Sequence, residues 1–459
     1  MKILTSIRPR SVLANDRLDA RYFTSDAVKA QETISLLEAG GLVVRPIAGP
    51  DGLGTTWTPN RFKREWASSH EDSMPYLRPY DVFEYVPEPA GRLSVLRTGN
   101  LSQLLIKPGV ILQSCSGRNL GPSVIVDDAL SRFVLSHDLV RIWIDDKTVR
   151  HYVLAYLNSP TGQLLMRRSR SGSVIDHLTE KDVAQTRVPL LATAQMNSIA
   201  RLVARSLRKL ETSRSDLIAL RTEMDARCPL EGRGTALNTG WSVSRRSIDD
   251  RLDVAWNDPF VRKVRVDVLA SGGVRCGDVA SADLPLRYKR YYVDPPHGRP
   301  ILSGRQLLQF APVNLRHASD RSFDAPDDYV VRKGMTVMGG VGRSEGRLGA
   351  AALVTSDRDG WLASNDVMRI RPKHARDAGA LYLSLASQVA QVQIKAMAYG
   401  SVIDHTHPWD IESVAIPKLD GGLGREASNA WSGFAKAAAL MQEAVNQIEG
   451  GLQEQLAGG

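Results

Sequence analysis

The hexapeptide Gly-Ser-Val-Ile-Asp-His occurs twice, at Gly172–His177 and again at Gly400–His405. Asp176 beside His177 and Asp404 beside His405 offer two carboxylate–imidazole pairs of the kind used in acid–base catalysis. Neighbours on an extended segment point to opposite faces, however, and no nucleophile recurs at a matching position. The residue types favour a structural part instead: a glycine that stops the preceding helix, a Val-Ile pair for the core, and an aspartate that bonds backbone. A contact to a DNA backbone by the same segment is the alternative.

Other chemistry-bearing stretches fall short of a site. Asp294–His297, Asp-Pro-Pro-His, approaches the Asp-Pro-Pro-aromatic motif of adenine-N6 methyltransferases, but His297 stands where the base-stacking ring belongs. No glycine-rich methyl-donor loop precedes it. "GGVGRSEGRLG" at 339–349 is neither a dinucleotide fingerprint nor a Walker A loop. Asp327 and Asp328 are followed by no acidic-x-Lys element of the nuclease kind. The nine histidines lack metal-binding spacing, and His405 and His407 read as hydrogen-bonded polar residues. Cys115, Cys228 and Cys276 are scattered, which fits neither a disulfide framework nor a zinc knuckle. No catalytic site, metal site or cofactor motif is legible.

The elements that would position such residues come in duplicate. Near the 228-residue offset set by the hexapeptides, "DRLDARY" meets "DRLDVAW", and Lys107-Pro108-Gly109 meets Arg332-Lys333-Gly334. Ser116-Gly117-Arg118 is echoed by Val341-Gly342-Arg343, "LSHDLVRIWI" by "ASNDVMRIRP", and "KDVAQTRVPL" by "WDIESVAIPK". The order is kept, as an internal duplication requires. Each copy reads as mixed helix and strand. "GVILQSCSG" and "GMTVMGGVG" are strands entering loops, and "DLVRIWI" and "DVMRIRP" are β-branched strands. Residues 150–172 and 378–400 each read as one helix, closed by Gly172 and Gly400.

Each copy is followed by a heptad stretch. Met196, Val203, Leu210, Leu217 and Met224 lie seven apart, with Ile199, Ser206, Ser213 and Leu220 on the second seam line. Trp431, Phe434, Ala438, Met441, Val445, Ile448 and Leu452 repeat the pattern. The two helices either pair with each other, which the regular spacing favours, or lie separately on their own domains. The expected plan is α+β: two duplicated mixed α/β domains separated by two long antiparallel coiled-coil helices, pseudo-two-fold. The boundaries are 1–190 for domain 1, 191–227 for helix 1, 228–247 for a linker, 248–419 for domain 2 and 420–459 for helix 2. A helix over 194–227 is roughly 50 Å long, the rise of roughly 15 base pairs of duplex.

Composition sets the class. With 459 residues, 43% hydrophobic and 24% charged, the chain suits two or three globular domains. It has no run of 18 apolar residues and no secretory h-region, so no membrane span is expected and the cytoplasm is the expected location. A net charge of +9 and a pI near 9.4 favour a polyanionic partner.

The strand–loop stretches "LLIKPGVILQSCSGRNLG" and "YVVRKGMTVMGGVGRSEGRLG" carry a family likeness. So do "LSHDLVRI" with "ASNDVMRI", and the run from "YVLAYLNSPTG" into "AQMNSIARL". In this order, twice, and with two long helices, the chain resembles the specificity (S) subunit of type I restriction–modification systems over essentially its whole length. It departs at "PKLDGGLGREASNAW", a Gly-rich entry that does not fix where the second helix starts. The resemblance implies a non-catalytic, sequence-specific DNA-binding subunit. Each copy would be a target recognition domain for half of a bipartite double-stranded site, and the helices would set the spacer and hold two methyltransferase subunits. Restriction–translocase subunits would join for cleavage, or the partners would belong to a related methylation-based phage-defence system. No cofactor is expected on this chain, since S-adenosylmethionine and adenine-N6 chemistry would belong to the methyltransferase.

Base edges are read by guanidinium and polar side chains on loops. The first copy offers Arg61, Lys63, Arg64, Arg78, Ser116, Arg118 and Asn119. The second offers Lys289, Arg290, Arg305, Gln306, Arg343, Ser344 and Arg347. Met196, Val203, Leu210, Leu217 and Met224, with Trp431, Ala438, Met441, Val445 and Leu452, are the expected spacer-helix interface. A non-enzymatic scaffold that binds proteins through two duplicated domains is the alternative, separable by a salt-dependent, sequence-selective band shift.

Overall fold

Short β-branched runs bounded by glycine and proline become the central strands of each copy. The computed structural model describes residues 25–458 other than 69, 100, 118–120, 169–175, 231–239, 249–250, 305, 343–345 and 401. Thr55–Trp57, Leu139–Trp143, Ile111–Ser114 and Val124–Ile125, in that order, form a four-stranded antiparallel sheet. Ala280–Asp283, Val367–Pro372, Thr336–Gly339 and Ala351–Leu353 form its twin. A second sheet pairs Ser73–Leu77 in parallel with Val134–Leu135, and its twin pairs Arg299–Leu302 in parallel with Leu362–Ala363. The smaller ladders Val44–Pro46 with Arg187–Pro189, and Ser116–Gly117 with Asp176–His177, recur as Val274–Arg275 with Ala415–Ile416 and Val341–Gly342 with Asp404–His405. The fold is α+β, and the central sheets of the two copies correspond in strand order, while the second sheet has three strands in the first copy and four in the second, where Tyr292–Val293 is added.

The expected single helices over 150–172 and 378–400 are each two. Lys147–Asn158 and Pro160–Arg168 are separated at Ser159, and Ala378–Ala386 and Gln388–Ala396 at Ser387. Both serines start a new helix: Ser159 Oγ accepts from Gly162 N at 3.1 Å, and Ser387 Oγ from Ala390 N at 3.4 Å. Pro160 lacks the N–H that would continue the first helix. Gly400 is not a helix cap either, because the helix already ends at Ala396. With φ at 135°, Gly400 turns the chain so that Tyr399 and His405 exchange backbone hydrogen bonds of 3.0 and 2.7 Å. Val402 and Ile403, expected in the core, are 74% and 50% exposed on that turn.

The two long helices span Thr193–Arg227 and Gly421–Gly458. Asp420 fixes the start of the second: its carboxylate accepts from Gly422 N at 2.7 Å and Leu423 N at 3.0 Å. The chain divides into two compact units, one up to Glu211 together with Lys436–Gly459, the other Thr212–Ala435. Each unit therefore holds part of both long helices. In the first unit the helices run antiparallel: Ser206 Oγ donates to Ala437 O at 2.7 Å, and Ser198 Oγ to Gln447 at 3.2 Å. In the second, Arg227 Nη1 donates to Asp420 at 2.7 Å.

Val203, Leu210, Leu217, Met224, Trp431, Val445 and Leu452 are buried, while Met196, Ala438 and Met441 are half-buried. Each large apolar residue so placed contributes about 1.5–3 kcal/mol. The seam also faces the domains. Ile199, Val203, Ala444, Ile448 and Leu452 share one core with Tyr152, Leu154 and Val188. In the second unit Trp431 packs edge-on to Tyr382 at 5.1 Å, and Arg221 Nε donates to the Tyr382 hydroxyl at 2.9 Å. The expectation that the helices pair is met, and the alternative, two helices lying separately on their own domains, is not: Ala444, Ile448 and Leu452 of the second helix join the core of the first copy.

Candidate nucleic-acid interface

A strand in each copy runs into a loop whose neck is tied shut. In the first, Gln113 is fully buried, and its Nε2 donates to Gly121 O at 3.0 Å and Ser114 O at 3.2 Å. Ser114 Oγ accepts from Gly121 N at 2.7 Å, and Ser123 Oγ donates to Gln113 at 2.7 Å. The repeated hexapeptide closes the same neck, since Asp176 and His177 pair with Gly117 and Ser116. This is its structural role, and Asp404 and His405 take the same part opposite Gly342 and Val341. Arg118 and Asn119 lie outside the described residues, and of Ser116 only the backbone is described.

Arg61, Lys63, Arg64 and Arg78 are exposed. Phe62 anchors the first three, its ring edge-on to Tyr76 at 6.2 Å and His137 at 5.5 Å. Arg64 lies over the Tyr76 ring at 5.9 Å, and Lys63 meets Glu65 at 2.6 Å. That ion pair is exposed and worth little, so the ammonium remains available to a stronger anion. Burial and then the Asp138 charge push the Cys115 thiol up to about 11, and the Arg61 charge opposes them. Arg78 N donates to Asp81 at 2.8 Å in a separate turn.

The second copy ties its neck with backbone and with Gln391, whose Nε2 donates to Gly349 O at 2.9 Å. Thr406 N donates to Gly340 O at 3.0 Å, and Gly349 N to Gly339 O at 3.1 Å. Gly349 has φ +79°, and a Cβ there would stand 2.7 Å from Ile394 Cγ2. Arg347 is half-buried in the turn beyond, while Arg343, Ser344 and Arg305 lie outside the described residues. Lys289 is exposed with its ammonium 5.0 Å from the Tyr291 ring. Arg290 is half-buried: it donates to Asn365 at 2.5 Å and lies over Tyr288 at 5.1 Å.

Gln306 cannot read a base. It is 7% exposed, its Nε2 donates to Val313 O at 2.8 Å and Asn314 O at 3.0 Å, and its Oε1 accepts from Ser303 Oγ at 2.8 Å. Tyr291, Tyr292 and Arg316, which were not among the expected residues, form a further exposed cation–aromatic cluster. The two tyrosines are each 47% exposed, and Arg316 stands over Tyr292 at 4.8 Å. Burial acts to raise the Tyr292 hydroxyl, but hydrogen bonds from Arg290 and Arg316 prevail and hold it below its ordinary value. The signal was visible in "KRYYV", where cations adjoin aromatic residues.

Part of the basic charge serves the fold. Arg141 and Arg369, in the repeated "LVRI" and "VMRI", are buried. Arg141 donates to Leu104 O at 3.5 Å, and Arg369 to Val330 O at 3.0 Å and Asp283 at 2.8 Å. Burial holds Arg141 down at about 10. His407 stacks between Tyr399 and Trp409, at 4.5 and 4.0 Å. Asp294–His297 is an exposed turn between two strands. Among the described residues no group of three or more His, Cys, Asp or Glu gathers as a metal set, and no helix is long and apolar enough to cross a membrane.

No protein-family model matches the sequence, and no curated protein matches it. Solved structures do. The chain is similar to the type I restriction–modification S subunit from M. genitalium at 11% identity and TM-score 0.26, over 90% of this chain and 98% of that one. It is similar to the HsdS subunit from Thermoanaerobacter tengcongensis at 14% identity and TM-score 0.27, over 89% and 98%. A structure describing complex assembly and conformational transition of the type I R-M system matches at 14% identity and TM-score 0.27, over 88% and 96%. These superpositions are loose, and the weight rests on what the chain itself presents.

Proposed function

We propose that this chain is the DNA-specificity subunit of a type I restriction–modification, or related methylation-based defence, complex. Each copy reads one half of a bipartite duplex site through the loop that its hexapeptide closes. The paired helices set the unread spacer and hold methyltransferase subunits, which bring S-adenosylmethionine to an adenine N6. Lys63, Arg64 and Arg78, with Arg61, serve the first half-site, and Lys289, Arg290 and Arg347 the second. Ser116, Arg118, Asn119, Arg305, Arg343 and Ser344 complete the proposed set. The observation that carries this reading is the duplication itself: two loops closed by equivalent ladders, beside central sheets of equivalent strand order. One reader needs no second copy; a bipartite site needs two.

The test is a domain exchange. Residues 1–190 are replaced by the matching domain of a relative, and methylated motifs are read by single-molecule sequencing in cells supplying the methyltransferase. One half-site changes and the other stays. Loss of both in a chimera that still folds overturns the two-reader model, and a chain without sequence-selective, salt-dependent DNA binding overturns the class.

A further inference from the structure

The turn that leads into the central strand is built alike in both copies, yet the space above it is filled in one and open in the other. Gly109 N donates to Val126 O at 2.8 Å and Val126 N to Val110 O at 2.9 Å. Gly334 N donates to Val354 O at 2.9 Å and Val354 N to Met335 O at 2.8 Å. The two glycines have φ of 93° and 89°. In the first copy Trp143 covers this turn, with the Lys107 ammonium 3.6 Å and the Arg150 guanidinium 4.4 Å from its ring. A Cβ on Gly109 would meet that ring at 3.3 Å and Arg150 at 3.5 Å.

The duplication pairs Trp143 with Arg371 and Arg150 with Ala378, at the same 228-residue offset. Neither replacement can fill the space. A Cβ on Gly334 would find nothing nearer than Ala378 Cβ at 3.7 Å. A cleft of about 700 Å³ remains there, floored by Met335, Val354 and Ala378 and rimmed by Arg332, Lys333, Arg371 and Lys373. All four rim residues are exposed. Arg332 shares an exposed pair with Asp327 at 3.2 Å, and Arg371 lies 3.7 Å from Asp283, which Arg369 already holds. Lys373 donates to the Asp278 carbonyl at 2.9 Å, which neutralises no charge. Exposed pairs of this kind exchange readily for a better anion.

We propose that this cleft docks an acidic peptide segment of a partner protein, which inserts one aromatic side chain where the first copy keeps its own Trp143. The rim selects for carboxylates and the floor for the ring. A ring between cations gains an electrostatic attraction to its face beyond its area burial. A DNA backbone would use the rim but gain nothing from the apolar floor, so the peptide fits better. The site is confined to the second copy and does not use the loops assigned to DNA.

The test uses the full chain and fluorescein-labelled peptides, Asp-Glu-Trp-Glu-Asp and the same peptide with alanine for tryptophan, followed by fluorescence anisotropy. The tryptophan peptide binds saturably, and the alanine peptide binds at least about tenfold more weakly. Arg371→Trp with Ala378→Arg, which copies the filling of the first domain, weakens binding by at least about tenfold. Lys333→Glu with Lys373→Glu weakens it similarly without touching the floor. Circular dichroism confirms that each variant folds. Equal binding of both peptides, unchanged binding by the charge-reversed variant, or no saturable binding below about 1 mM overturns the proposal. Displacement of the peptide by a random duplex at equal charge, with DNA binding lost in the filled variant, assigns the cleft to DNA and overturns it too.

Discussion

Gly424, in the first turn of the second long helix, and Gly379, in the helix Ala378–Ala386, lie where two backbones touch. A Cβ on Gly424 would stand 2.8 Å from the nitrogen and Cβ of Ala380. One on Gly379 would stand 2.0 Å from Gly424 O and 2.5 Å from Ser428 Oγ. Non-bonded carbon needs about 3.5 Å or more, so Gly424→Ala forces a separation of about 0.7 Å and Gly379→Ala about twice that. Overpacking of this order costs about 1–3 kcal/mol. Alanine otherwise favours a helix over glycine by about 1 kcal/mol. Gly450, in the same long helix, has nothing within 4 Å of its would-be Cβ. The same substitution should therefore change sign with position. Gly450→Ala stabilises by about 0.5–1 kcal/mol, Gly424→Ala destabilises by about 1–2, and Gly379→Ala by about 2–3. Urea unfolding followed by circular dichroism measures all three against the parent chain. If Gly424→Ala raises stability as Gly450→Ala does, the helices do not touch there, and the account of the Gly-rich entry fails.

The other expectations concern loops, spacing and pH. Arg118→Ala and Arg343→Ala should each relax selectivity at one half-site, at about 1–3 kcal/mol per lost bidentate contact; unchanged binding and selectivity in both, by competition band shift, removes these loops from recognition. Four residues inserted after Ser206 and four before Ala437 lengthen each helix by about 6 Å and should give a methylated motif with the same halves and a longer spacer; a fixed spacer with persisting methylation sinks the ruler. His151, 6% exposed, is held down at about 4 by burial and then by the Lys147 and Arg150 charges. Its neutral form is the one the fold accepts, so its contribution is intact above about pH 6.5 and is lost as pH falls from there towards about 4, by roughly 3 kcal/mol. Stability measured at pH 7 and pH 4.5 should fall less in His151→Leu than in the parent, and an equal fall places His151 in contact with water.

The duplication was legible because each copy keeps local strand-forming patterns in the same order, although the ladders themselves join residues far apart, such as Val44 and Pro189. The heptads were legible for the same reason: Val203, Leu217, Ile448 and Leu452 announce one face at fixed spacing and are buried. The breaks at Ser159 and Ser387 were not, because the apolar period runs through them, and only the serine caps and Pro160 mark the stop. The Val-Ile of the second hexapeptide misled for a related reason. Gly400 turns the chain outward and leaves both apolar residues in water, an outcome set by one backbone angle rather than by hydrophobicity.

Candidate site residues were legible as types but not as atoms free to act. Gln306 has the amide that recognises adenine, yet the chain returning at Val313 and Asn314 places two carbonyls against it. Arg141 and Arg369 contribute to the net charge but are spent on carbonyls and on Asp283. The two loop necks show the same separation of letters from geometry. Beyond the shared ladder, the first adds the side chains of Gln113 and Ser114, and the second adds backbone at Gly339 and Gly340 and the side chain of Gln391. Both copies share the ladder to the repeated Asp-His and differ in the bonds added to it. A loop whose neck is tied independently of its tip can change every residue at the tip without unfolding its sheet. That is the physical condition for two copies of one domain to carry different loop sequences on the same frame.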